Sequence, residues 1–119
     1  MQMPNKVTQE KLTAAGGKPV TALRFTGDIS SASKEAVVGT YEALDKASNQ
    51  LILLEFGGVE YLNSSGIALV IQVLMEAKKS GQTVAICGLT QHFIKVFTMV
   101  GITKYATLYG DEAAALAGL

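Results

Sequence analysis

The run Leu51-Ile52-Leu53-Leu54-Glu55-Phe56 constrains this chain more than any other stretch. Apolar residues at consecutive positions leave no polar face, so a strand built from them must be covered on both sides. That predicts a central strand of a layered α/β sheet. After Gly57-Gly58-Val59-Glu60-Tyr61-Leu62 the chain continues as Asn63-Ser64-Ser65-Gly66 and then as an apolar segment, Ile67 to Lys79, at helical spacing. A strand is thus expected to hand over to a helix through two hydroxyls. Open α/β sheets place their sites at the carboxyl ends of central strands. A helix start adds free backbone N–H groups and a partial positive charge, so it tolerates a phosphate well. These features predict a phosphorylation switch at Ser65, with Ser64 as the alternative acceptor, on a surface that binds another protein. Helix capping by Asn63 or Ser64 accounts for the same residue types without any switch.

The rest of the chain fits around that junction. Gly16-Gly17-Lys18-Pro19 is a turn between an ill-patterned strand near Val7 to Ala14 and a better one, Val20 to Thr26, where Leu23 and Phe25 alternate with Arg24 and Thr26. Gly27-Asp28-Ile29-Ser30-Ser31 breaks the second strand and supplies capping oxygens. Val37, Tyr41 and Leu44 then predict an amphipathic helix over Ser33 to Ala47. The helix after Ser65 should stop at Gly81, followed by a strand from Gln82 to Gly88. Thr90 caps a helix striped by Phe93, Val96, Phe97 and Val100 and ended by Gly101. Tyr105 to Tyr109 reads as an edge strand, and Asp111 as the cap of a last helix over Glu112 to Leu116. The order is β-β-α-β-α-β-α-β-α: one α/β domain over residues 1–119, with a mixed sheet of four to five strands and about four helices.

The core row of the helix after Ser65 reads as Ile67, Val70, Ile71, Leu74 and Ala77 or Lys78. Leu69 and Val73 are left on the side of Gln72 and Glu76, as an expected partner surface beside Ser65. Packing of a wide apolar stripe on neighbouring helices is the other reading. Asp28 is expected to line the same end of the sheet, and Glu55 to order the loop or to meet a kinase.

Composition excludes several classes. The chain has 119 residues, 49% of them hydrophobic, enough for a packed core. Lys+Arg and Asp+Glu are both 10, so no net charge draws it to nucleic acid or to an anionic membrane. The single cysteine, Cys87, allows no intrachain disulfide and reads as a small core residue. Met1-Gln2-Met3-Pro4-Asn5-Lys6 lacks the apolar stretch of a signal peptide, and no run approaches a membrane span, so a cytoplasmic location is expected. Neither Ser64 nor Ser65 has a glycine two residues before it in the manner of a hydrolase elbow, and the one histidine, His92, reads as an exposed helix residue. The glycines at 57, 58 and 66 do not have phosphate-loop spacing, and no metal-ligand cluster is visible. With no cofactor or catalytic set on offer, a binding module is favoured over an enzyme.

Three stretches carry a resemblance. Leu54 to Ile67 is similar to the strand, loop and Asp-Ser-Ser-Gly-Leu helix start of the STAS domain family, the bacterial anti-sigma factor antagonists. Gly27-Asp28-Ile29-Ser30 resembles that family's Gly-acid-aliphatic turn, and Gly81 to Leu89 with Val96 to Ile102 resembles its last strand-helix unit. The resemblance implies that Ser65 is phosphorylated by a partner that is both serine kinase and anti-sigma factor. It further implies that the unphosphorylated form binds that partner and frees a sigma factor, and that a PP2C-type phosphatase resets the cycle. Asp28, Asn63, Ser64, Ser65, Gly66, Leu69 and Val73 are the expected docking residues. The chain departs from the family at Asn63, where an aspartate is usual, which removes a charge that a kinase would read. A non-switching STAS scaffold, in a stressosome or a lipid-transport assembly, is the alternative. A small serine hydrolase is a third reading, from another class.

Overall fold

A computed structural model describes residues 4–119; Met1-Gln2-Met3, the first half of the N-terminal stretch read above, lie outside the described residues. Among the described residues five strands form one sheet in sequential order: β1 (Lys6–Thr13), β2 (Pro19–Thr26), β3 (Leu51–Gly58), β4 (Thr83–Cys87) and β5 (Thr107–Tyr109). The β1–β2 hairpin is antiparallel, and every later pairing is parallel. This is the mixed α/β sheet expected from the element order.

β3 explains why its sequence is apolar throughout. Ile52, Leu54 and Phe56 enter the main core with Leu23, Phe25 and Ile86, while Leu53 enters a second cluster with Val20, Ala22, Ala85 and Cys87 on the other face. In the main core Phe25 stacks on Phe56 at 4.9 Å between centroids, and Phe97 meets Phe56 edge-on at 5.9 Å. That face is covered by α2 (Ser64–Lys79) and α3 (Gln91–Met99). The opposite face is covered by α4 (Glu112–Gly118), which contributes Ala115 and Leu116.

The segment expected as a helix from Ser33 to Ala47 departs from that pattern. It is a 3-10 turn at Ser31–Ser33, a π-helical turn at Glu35–Gly39 and a single α turn, α1 (Thr40–Glu42). Val37-Val38-Gly39-Thr40 combines β-branched residues with glycine, all weak α-formers, so little local preference enforces a regular helix. The irregular turns bury Val37, Val38 and Tyr41 together. Beyond them, Asp45 accepts from Ser48 Oγ at 2.6 Å, and its carbonyl accepts from Asn49 Nδ2 at 2.7 Å. Such side-chain bonds compete with helix continuation and stop it short of Ala47.

A polar seam closes the amino ends of the parallel strands. The Tyr41 hydroxyl donates to Gln82 Oε1, Gln82 Nε2 donates to the Asn49 carbonyl at 2.7 Å, and Lys11 Nζ donates to both Asn49 Oδ1 and Thr21 Oγ1. Tyr41 is fully buried, so its hydroxyl requires this partner.

Candidate functional site at the carboxyl end of the sheet

The loops after β2 and β3 meet at one end of the sheet and are laced together by backbone. Gly27 N–H donates to the Gly58 carbonyl (3.1 Å), Ile29 N–H to the Tyr61 carbonyl (3.0 Å) and Asn63 N–H to the Ile29 carbonyl (3.2 Å). Ile29 and Leu62 form an isolated parallel bridge, and both side chains are buried. These bonds extend the β2–β3 pairing past the strands proper. The loop of Asp28 therefore sits against the start of α2.

Gly66 sets how close that contact is. A Cβ there would stand 2.3 Å from the Ile29 carbonyl oxygen and 2.8 Å from its carbon, both backbone atoms. Only glycine lets the first turn of α2 approach so nearly. Asn63 is the N-cap: its Oδ1 accepts from Gly66 N–H at 2.8 Å, with extended backbone at φ −89° and ψ 178°. Ser64 and Ser65 follow in the first turn, and both are exposed to solvent. The Ser65 hydroxyl is thus on an accessible surface at a helix start.

Glu55 organises the same end from beneath. Its Oε2 accepts from Gly57 N–H at 2.6 Å, and its Oε1 lies 3.7 Å from Arg24 Nη1. Arg24 also binds Glu112 Oε1 at 2.6 Å and Glu10 Oε1 at 2.8 Å. Its hydrogen bonds to Glu112 and Glu10 hold the guanidinium pKa above its usual value, so it is permanently charged. Gly88, at φ +80°, closes over this carboxylate; a Cβ there would fall 2.6 Å from both Glu55 Oε2 and Gly57 N. Of the two roles expected for Glu55, the structure supplies the ordering of the loop. The Arg24 hub escaped the sequence reading because it joins residues from β1, β2, β3 and α4. The sole sequence-level hint was a charge in an otherwise apolar strand.

The expected docking residues divide. Asp28, Asn63, Ser64, Ser65 and Gly66 are brought together at this end, with Asp28 half-buried and Gly66 buried under the Ile29 loop. Leu69 and Val73 are not surface residues. Both are buried in the main core, with Val73 only 1% exposed. The reason is the placement of α2, which packs on β4 and also against the 3-10 and π-helical turns of 31–39. Two neighbours demand an apolar arc wide enough to include Leu69, Val70, Val73, Leu74 and Ala77, leaving Ile67 and Ile71 half-buried at its margin. The outward side of α2 carries Ala68, Gln72 and Met75 instead. His92 is exposed and its ring lies against Phe93. Among the described residues, no group of three or more His, Cys, Asp or Glu side chains is placed to hold a metal ion.

Solved structures of the same architecture span nearly the whole chain. An anti-sigma factor antagonist from Mycobacterium paratuberculosis is 18% identical, with a TM-score of 0.72 over 93% of this chain and 92% of its own. SpoIIAA, an anti-sigma factor antagonist and Bacillus cell fate determinant, matches in both of its forms. The unphosphorylated form is 16% identical with a TM-score of 0.66, covering 89% of each chain. The phosphorylated form is 18% identical with a TM-score of 0.67, covering 91% of this chain and 95% of that one. A sulfate transporter family protein from Wolinella succinogenes is 12% identical, with a TM-score of 0.69 over 88% and 86%. At these identities the likeness is one of fold. A family model described as "Mlab, STAS domain" matches residues 13–110. That match takes in β2 through β5, both laced loops and the Asn63-Ser64-Ser65-Gly66 helix start, and the chain belongs to the STAS domain family.

Proposed function

We propose that this chain is an anti-sigma factor antagonist whose docking surface is the Ser65 end of the sheet, and that phosphorylation of Ser65 switches it off. In its unphosphorylated form it binds an anti-sigma factor that is also the serine kinase, and a sigma factor is released. A PP2C-type phosphatase restores the binding form. The observation that carries this reading is the exposed Ser65 hydroxyl in the first turn of a 16-residue helix, on a surface framed by Asp28 and Asn63. Ser64, exposed beside it, is the secondary acceptor.

The physics requires no change of shape. Phosphoserine adds about −1.5 to −2 charges. At the start of α2 that charge is locally favourable, by up to about 2 kcal/mol. Within a closed interface the same group brings bulk and a dianion that must be stripped of water, which costs several kcal/mol. A loss of about 4 kcal/mol lowers affinity roughly a thousandfold. The near-equal match of this fold to both forms of SpoIIAA accords with a switch that leaves the fold alone.

Incubation with ATP and a lysate of the source organism, followed by phosphopeptide mapping, tests the acceptor. Phosphate at Ser65 that disappears in Ser65→Ala is expected; a loop that stays unmodified favours the non-switching scaffold, a role to which the missing acid at Asn63 also points. Ser65→Asp is expected to weaken partner capture at least a hundredfold while moving the melting temperature by no more than about 2 °C. A large stability loss in Ser65→Asp would contradict the exposed placement of the hydroxyl.

A further inference from the structure

The formal charge of this chain is zero, yet its charges are not evenly spread. The loops at the carboxyl ends of the parallel strands, 27–33, 57–65, 88–92 and 110–111, contain Asp28, Glu60 and Asp111 and neither lysine nor arginine. Just inside this end, the one guanidinium of Arg24 faces the carboxylates of Glu10, Glu55 and Glu112. Lys6 stands at its margin, paired with Thr26, and Lys34 and Glu35 follow the 27–33 loop in the chain. The opposite end carries Lys11, Lys18, Lys46, Lys78, Lys79 and Lys104 against Glu42, Asp45 and Glu76. Compensation of helix dipoles explains Asp111, the N-cap of α4, and Lys78 and Lys79 in the last turn of α2. It does not explain Glu60 or Lys18, which lie outside every helix. Beside Glu60, Tyr61 holds an aromatic ring half in water, at 51% exposure, two residues before the N-cap of α2.

We propose that the Ser65 end docks a basic surface of the partner, with Tyr61 as the aromatic anchor and Glu60 as the steering charge. This rests on the reading of this end as the docking surface, though not on phosphorylation of Ser65. Tyrosine is among the residues that dominate interface energies, because a rigid ring buries a large area at small entropic loss. Negative potential around it raises the association rate with a basic partner and makes that rate fall with salt. The polarity also fixes how a phosphate acts here. Added negative charge does not repel a basic partner at a distance, so phosphorylation leaves association fast and acts by shortening the lifetime of the complex.

The test replaces Tyr61 with a photo-crosslinking amino acid in one full-length protein and Lys18, at the far end, in another, each expressed in the source organism. The expected result is a single protein adduct at position 61 and none at 18. Its crosslinked peptide should carry an excess of Lys and Arg, and its yield should fall at least fivefold in a Glu60→Lys background. Glu60→Gln, with an intermediate fall, guards against a fold defect, and both backgrounds are checked by thermal melting. No adduct at 61, equal adducts at both positions, an acidic crosslinked peptide or a yield indifferent to Glu60→Lys each overturns the proposal. An adduct that meets these criteria but is unmoved by Ser65→Asp retains the docking surface and refutes the phosphorylation switch. With the captured partner purified, stopped-flow association is expected to slow about tenfold between 50 and 300 mM salt. Ser65→Asp is expected to raise the dissociation rate while changing the association rate less than threefold; the reverse pattern overturns the charge assignment.

Discussion

At the scale of single residues, Gly66 and Asn63 determine whether Ser65 stands where it does. Because a methyl group at 66 would press on the backbone oxygen of Ile29, no side-chain rotation can relieve it. Gly66→Ala is expected to destabilise the protein by about 2–3 kcal/mol, read as a denaturant midpoint, since overpacking against backbone forces the helix or the loop to shift. Asn63→Ala removes the cap on Gly66 N–H and should cost about 1 kcal/mol. Asn63→Asp keeps that bond and adds a charge favoured at a helix start, so its stability should equal or slightly exceed that of the parent. If kinase reading depends on an acid before the serines, Asn63→Asp should speed Ser65 phosphorylation, which mass spectrometry of a time course would reveal. The capping role of Asn63 was legible because few residue types end a strand and start a helix. The closeness demanded by Gly66 was not, since it depends on a loop 37 residues earlier in the chain.

At the scale of elements, β2, β3 and β4 were readable from period and continuity, and their order along the chain became their order in the sheet. α2 shows the limit of that approach. Seven of the nine positions from Ile67 to Met75 are Ile, Leu, Val or Met, so almost any face of the helix has an apolar row. Only its neighbours choose among them, and they choose Leu69 and Val73 for the core. Leu69→Ala and Val73→Ala should therefore behave as cavity mutations. Leu69→Ala should lose about 2–4 kcal/mol and the smaller valine somewhat less, measured by urea unfolding. Were they surface contacts instead, stability would hold and only partner capture would suffer. The helix expected over Ser33 to Ala47 departs from the structure for a related reason: apolar spacing located its buried side, but β-branched residues and glycine left its hydrogen-bond pattern to tertiary packing.

At the scale of the whole molecule, the sheet is protected unequally on its two faces. Among the described residues the second face has one helical cover, α4, over Val20, Ala22, Leu53, Ala85 and Cys87. Burial there pushes the Cys87 thiol up to about 11, with nearby Glu55 and Glu112 adding to the effect. The folded protein therefore keeps a proton that the unfolded chain releases near pH 9. Below that pH the thiol contributes no pH dependence; between about 9 and 11 it favours unfolding increasingly. The melting temperature of the parent should thus fall more steeply over that window than that of Cys87→Ala, and alkylation of the native thiol at neutral pH should be slow. The same thinness decides what a cut near Gly110 would do. Losing the last nine residues would strip the roof from β2, β3 and β4 and leave a flat aliphatic wall in water, an invitation to stick to other copies. Ser65, on the far side of that loss, would still look intact to any assay of the isolated loop.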